Sequence, residues 1–164
     1  MAGPRKELKT SAVGGGDPPP LGLDGAQLDA LLGGRTSLED VDAVVRQMKK
    51  ALYERILVGE LTHHLGYARG TEKPASVSNH RNGSTPKTVL SEDGPIPLAI
   101  PRDREGPLSP QLIPKNVRRL PKFDAHVLSL YAHGMTMREI QEHLQEFYQV
   151  DIAPACISAV TDEV

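Results

Sequence analysis

The sequence predicts a mainly α-helical chain with a small β-hairpin. It has a long N-terminal helix, an irregular basic middle and a C-terminal tri-helical unit in a helix-turn-helix arrangement. Three observations lead there. Apolar residues recur at three- and four-residue steps over residues 36–67 and again over 123–164, which is helical spacing. Between those stretches lie two short strand-like runs joined by Glu92-Asp93-Gly94. Charge divides the chain in the same places: residues 1–68 hold eight basic and nine acidic residues, 69–122 hold ten and five, and 123–164 hold one and seven.

The N-terminal segment, 1–35, reads as a disordered leader with a short helix. Residues 1–22 are poor in apolar side chains and rich in Gly and Pro. The short helix runs from Asp24 to Leu32 and stops at Gly33 and Gly34. Residues 36–67 form an amphipathic helix. Thr36 or Ser37 caps it, and Glu39 and Asp40 favour the positive end of its dipole. Leu38, Val41, Val45, Met48 and Leu52 follow heptad spacing, which either a paired helix or the chain's own globule would bury. The helix continues through Ile56 and Leu61 to Leu65, and Gly66 ends it. His63 and His64 point about 100° apart on a helix, so they make no metal pair; a solvated or dipole-stabilised role is expected.

The basic hairpin and loop region spans 68–122. Ala68 to Val77 is loop, and Asn79 to Gly83 is a turn offering His80 and Arg81 to phosphates. Thr85 to Leu90 and Pro95 to Arg102 are the two strands. Pro86, Pro95, Pro97 and Pro101 remove ladder donors, which predicts an edge or partly irregular hairpin. Lys87 lies on the first strand, and Arg102, Arg104, Lys115, Arg118, Arg119 and Lys122 follow. Such a run can be a mere solvated face; placed before a helix-turn-helix pattern it suits an arm that grips the nucleic-acid backbone.

Residues 123–164 supply that pattern. Phe123, Val127, Leu130 and Tyr131 mark a first helix, stopped by Gly134. Thr136 and Glu139 form a capping box for a second, which buries Met137, Ile140, Leu144 and Phe147. After a turn near Gln149 to Ile152, Pro154 opens a third helix that buries Ile157, Val160 and Val164. Ala155, Ser158, Ala159 and Asp162 face outward. Two readings stand: a plain three-helix core, or a unit whose last helix enters the DNA major groove. With a single base, Arg138, this unit is net −6, so phosphate neutralisation has to come from the basic middle.

Composition narrows the classes. With 15 Gly, 14 Pro, no Trp and 4% aromatic residues, the core is thin and loops are many. The lone Cys156 excludes an internal disulfide and a cysteine zinc site, and reads as filler beside an apolar face. No apolar run is long enough for a membrane span, and the polar, proline-rich start is not a secretory signal, so a bacterial-type cytosolic protein is expected.

The middle and last segments together resemble the mutator-type transposases of bacterial insertion sequences. The matching strings are ELTHHLGYARG (60–70), NHRNGSTPKTVLSEDG (79–94), IPRDREG (100–106), QLIPK (111–115), LYAHGMTMREI (130–140) and CISAVTDEV (156–164). They keep the family's order and nearly its spacing over about residues 50 to 164. The resemblance implies an N-terminal portion that recognises terminal inverted repeats, and an RNase H-like domain whose three acidic residues hold two divalent ions, usually Mg²⁺, for phosphoryl transfer. That domain should begin just after VTDEV, and the first catalytic aspartate has no counterpart here. Asp151, Asp162 and Glu163 have no strand to present them and are rejected as a triad. The sequence also departs from the family at Ala153, Ala159, Pro107-Leu108 and residues 1–30.

The expectation is a DNA-binding N-terminal portion with no catalytic residues and no metal or cofactor of its own, Mg²⁺ belonging to the catalytic domain. Arg81, Lys87, Arg102, Arg104, Lys115, Arg118 and Arg119 would grip phosphates of double-stranded DNA at insertion-sequence ends. Ser158, Ala159 and Asp162 would face base edges, with Arg138 on the flanking helix. The alternative is a non-catalytic interaction or dimerisation protein, pairing with itself or with a full-length transposase through the helix from Ser37 to Leu57. A relic that folds only partially is the third reading.

Overall fold

The computed structural model describes residues 20–149 and 151–162. The proposed disordered leader and Val164 therefore fall largely or wholly outside the described residues. The chain divides into two units, Met1–Arg35 and Thr36–Val164. In the first, α1 (Gly25–Leu32) is held by a reciprocal capping box. The Gln27 N–H donates to Asp24 Oδ1 at 2.8 Å, and the Asp24 N–H donates to Gln27 Oε1 at 2.9 Å. No residue of α1 is buried.

The second unit runs α2 (Leu38–Leu65), β1 (Arg81–Ser91), β2 (Gly94–Asp103), α3 (Pro121–Ala132), α4 (Met137–Tyr148) and α5 (Pro154–Thr161). Ser37, not Thr36, caps α2, exchanging hydrogen bonds with Asp40. Gly66 closes the helix at φ +79°, where a residue with a Cβ would be strained.

β1 and β2 pair antiparallel, continuously from Ser84↔Pro101 to Ser91↔Gly94, with an irregularity between Arg81 and Ser84. The prolines do not cost this ladder its donors. The Ala99 N–H donates outward to Glu54 Oε1 on α2 at 2.9 Å, and the Pro97 carbonyl accepts from Lys50 Nζ at 2.7 Å. The odd-numbered positions of β2 thus point their backbone groups away from β1. Pro95, Pro97 and Pro101 share that parity, so each removes an N–H from the free edge. On β1 the even positions face outward. Leu90 donates to the Arg118 carbonyl and accepts from the Leu120 N–H, both at 2.8 Å. Pro86 has the same parity. The expectation of missing ladder bonds is thereby corrected: the prolines sit where no ladder bond exists.

Three apolar clusters fill the unit. Leu57 of α2, Val89, Ile96 and Leu98 of the hairpin, and Ile113 of the following loop form one. Leu61, Leu65 and Leu108 form a second. Phe123, Val127, Ile140, Leu144, Ile152, Ile157 and Val160 form the third, from α3, α4, α5 and the segment before α5. The hairpin does not float. Leu90 packs against the third cluster, and Tyr148 Oη donates to the Glu92 carbonyl at 2.6 Å. Gly94, at φ +105°, lets the hairpin turn approach Tyr148: an added Cβ would lie 3.3 Å from Tyr148 Cδ1.

Several burial expectations are overturned. Met137, Phe147 and Tyr131 are exposed, and the third cluster takes Phe123, Val127, Ile140 and Leu144 from these two helices instead. The heptad-spaced face of α2 is exposed too. Leu57, Leu61 and Leu65, which pack on the hairpin and loop, lie on the opposite side of the helix at about 100° per residue. Ser158 is half-buried, its Oγ 3.3 Å from Met137 Sδ. Val150, in the turn before α5, is outside the described residues.

Replacing a side chain that ties α2 to the hairpin tests this packing. Leu57→Ala is expected to lower stability by about 3 kcal/mol in urea unfolding, since Leu57 is almost fully buried.

Candidate nucleic-acid interface

The hairpin's far end, where β2 runs out into the loop before α3, carries a groove of about 460 Å³. Lys87 comes from β1, Arg102 from β2, Arg104 from the residue after it, and Lys115 from the loop. Ile100, Leu108 and Ile113 are among its apolar lining residues. Three separate stretches of chain therefore bring four of the expected cations to one surface. Arg102, Arg104, Lys115 and Arg118 are exposed, and none of them makes an ion pair among the described residues.

The two lysines are positioned by backbone carbonyls, not by acids. Lys87 Nζ donates to Pro114 O at 2.7 Å and Lys115 O at 3.0 Å; Lys115 Nζ donates to Gly106 O at 3.2 Å. Burial, and then the nearby Arg118 charge, push the Lys87 ammonium below its ordinary pKa. Like charges thus stand together here, and no carboxylate pairs with Lys87, Arg102, Arg104 or Lys115 among the described residues.

The acid that does line the groove, Asp103, is turned to structural use. It is buried, and its Oδ2 accepts from Asn79 Nδ2 at 2.7 Å and from the Leu108 N–H at 3.4 Å. His64 Nε2 lies 3.2 Å from the same oxygen. Asn79 Oδ1 accepts in turn from the Glu105 N–H at 3.1 Å. Burial works to raise the Asp103 pKa, but these hydrogen bonds outweigh it and hold the carboxyl below its ordinary value. Glu60 fixes the next part of the loop, its two oxygens accepting from the Gln111 and Leu112 N–H groups at 2.9 Å each.

The remaining expected residues lie elsewhere. Arg81 lines a separate depression with Arg69. Its Nη2 donates to Thr62 Oγ1 at 3.0 Å and Tyr67 O at 2.7 Å, and its guanidinium sits 4.8 Å over the Tyr67 ring. Its partners are the end of α2 and Tyr67, so it serves as a strut. Arg119 is also tied inward, to Asp124 at 3.1 Å and to the Cys156 carbonyl at 3.0 Å. It joins the loop to α3 and α5. Arg138 is exposed on α4 and pairs with Glu142 at 3.1 Å. Ala159 and Asp162 are exposed on or just past α5, beside half-buried Ser158. His80 is exposed, while Asn79 beside it is buried. His64 is neither purely solvated nor merely dipole-stabilised, given its contact with Asp103.

Sequence reasoning missed the roles of Asn79, Asp103 and Glu60. Apart from Leu108 beside Asp103 and His80 beside Asn79, their partners lie 24 or more positions away, and no local spacing signals such pairs. Among the described residues no group of three His, Cys, Asp or Glu side chains is arranged to hold a metal ion, and no helix is long and apolar enough to cross a membrane.

Residues 26–164 match the family model described as "Transposase, Mutator family". The chain is 50% identical over 139 residues to a transposase for insertion sequence element ISRM3 of Rhizobium meliloti, covering 84% of this chain and 34% of the relative. It is 48% identical, over the same length and shares, to a probable transposase for an ISRM3-like element of Sinorhizobium fredii. A transposase for element IS905 of Lactococcus lactis is 33% identical over 123 residues, 75% of this chain and 32% of the relative. The chain spans about a third of the length of these curated relatives.

Asp103 gives the loop a pH signature. Its carboxyl is depressed below 3.8, so its contribution is full above that value and is lost as pH falls through the folded-state pKa. Acid unfolding of the chain should therefore steepen below about pH 4. Asp103→Asn is expected to lower stability at neutral pH and to flatten that part of the profile, read by circular dichroism across a pH series.

Proposed function

The chain belongs to the Mutator family of transposases, and on that premise we propose that it is a DNA-gripping portion of such an enzyme, engaging the terminal inverted repeats of an insertion sequence. The observation that carries this reading is the groove in which Lys87, Arg102, Arg104 and Lys115 converge, with Arg118 close to Lys87. Close cations that pair with no carboxylate repel one another, and a phosphate backbone laid along them relieves that repulsion.

In this reading the labour is divided. The groove supplies the sequence-independent grip. The α3–α5 unit acts as a helix-turn-helix reader, α5 presenting exposed Ala159 and Asp162 to base edges, with half-buried Ser158 beside them, while Arg138 contacts the flanking backbone. The exposed face of α5 carries no base, so its contribution is discrimination and little of the affinity. Arg81 and Arg119 support the grip indirectly, by fixing β1 and the loop before α3. The chain binds without cutting, and the family's Mg²⁺-dependent strand transfer belongs to a further domain.

Fluorescence anisotropy with duplexes bearing insertion-sequence ends tests the reading. Arg102→Ala combined with Arg104→Ala should weaken binding and reduce the slope of log affinity against log salt by about 1.8, about 0.9 for each phosphate no longer neutralised. Circular dichroism should show the fold retained, since both side chains are exposed. Unchanged affinity and slope in the double variant would remove the groove from the interface. Cleavage of the duplex by this chain in Mg²⁺ would contradict binding without cutting.

A further inference from the structure

Helix α2 is apolar on two opposite faces. Leu57, Leu61 and Leu65 are buried against the hairpin and its following loop. On the other side Leu38, Val41, Val45, Leu52 and Ile56 are each between 40% and 85% exposed, with half-buried Met48 among them. At about 100° per residue these six fall within about 40° of one line, a stripe about 27 Å long. Scattered apolar residues on a surface need no partner; a continuous stripe at heptad spacing does. None of the six lines the basic groove.

We infer that this stripe pairs with the same stripe of a second copy of the chain, the two helices running antiparallel. Two features of the sequence choose that occupant and direction. The stripe is self-complementary when reversed: Leu38 meets Ile56 of the other copy, Val41 meets Leu52, and Val45 meets Met48. Each pairing is made twice by the two-fold axis. Charge also runs unevenly along α2. Glu39, Asp40 and Asp42 occupy its start, and Arg46 and Arg55 its middle and later turns, while Lys49 and Lys50 pair with Glu92, Asp93 and Glu54 of the same chain. Antiparallel pairing sets the acidic start of one copy beside the Arg55 stretch of the other and opposes the helix dipoles. Parallel pairing would set the two acidic starts beside one another and the two Arg55 stretches beside one another.

The test uses the full chain. Light scattering at increasing concentration should approach twice the 17.8 kDa chain mass. Val45→Glu should weaken association at least ~100-fold, since the two-fold axis places the charge in the seam twice. Its melting profile at low concentration should stay that of the wild type, because Val45 already faces solvent in the single chain. Direction is read by oxidative cross-linking of Leu38→Cys chains mixed with Ile56→Cys chains, with the wild type as the control for Cys156. Cross-links forming only in the mixture support the antiparallel seam. A wild-type chain that stays monomeric, a dimer indifferent to Val45→Glu, or Leu38→Cys chains that link to one another overturns it. DNA affinity plays no part in these readouts, so failure of the groove reading and failure of this one are distinguishable.

Discussion

A two-stranded hairpin alone is at best marginal in water, and closing its two edges is the constraint on which the rest of this unit depends. The chain closes them by different means. Along β2 three prolines delete outward N–H groups, and the outward N–H of Ala99 is taken by Glu54 of α2. Along β1 the segment 118–120 lies beside Leu90 and satisfies both its outward groups. The first device brings α2 onto the hairpin. The second brings the segment that starts α3, and with it the third apolar cluster. Helices and hairpin are thus joined through backbone groups that would otherwise template aggregation.

The same logic governs charge. Glu54 and Glu60 of α2, and Asp103 of β2, direct their carboxylates to backbone N–H groups of the hairpin and loop. Glu54 also pairs with Lys50, whereas Glu60 and Asp103 pair with no lysine or arginine among the described residues. Arg102 and Arg104 flank Asp103 in sequence, and on a strand they point to the opposite side from it. The net charge of −2 conceals this arrangement. Near the groove Asp103 and Glu60 hold the scaffold while Arg102, Arg104 and Lys115 stay exposed, so this surface is basic although the chain as a whole is net −2.

Much of this was legible in the sequence, for physical reasons that also explain the gaps. Helix ends were readable because caps are local: Asp24, Ser37 and Thr136 each bond three residues onward, and Gly33 and Gly66 follow the last helical turn. The hairpin was readable because Glu92-Asp93-Gly94 separates two apolar runs. The parity of the prolines is visible in the sequence as well, yet its meaning depends on which edge of each strand faces outward. That is fixed by α2 and residues 118–120, both distant along the chain. The cations divide likewise. Lys87, Arg102, Arg104 and Lys115 share a groove. Arg81 and Arg119 look the same in sequence but are drawn inward by Tyr67 and by Cys156. Residue type sets the charge; only tertiary partners separate a strut from a grip.

Helix α2 shows why a periodic pattern can be right and its burial wrong. An apolar repeat marks a face that excludes water, without saying whose surface covers it. Two sets of apolar residues follow one another along α2, with buried Val44 and half-buried Tyr53 and Val58 outside them. The set from Leu57 to Leu65 meets the hairpin and loop of its own chain; the set from Leu38 to Ile56 faces the other way. A helix lying on one side of a small sheet can bury only one of its faces there. The second face is therefore a property of the fold's geometry: α2 is committed to the sheet by the edge bonds of Glu54 and Lys50, and it cannot rotate to hide the stripe without breaking them.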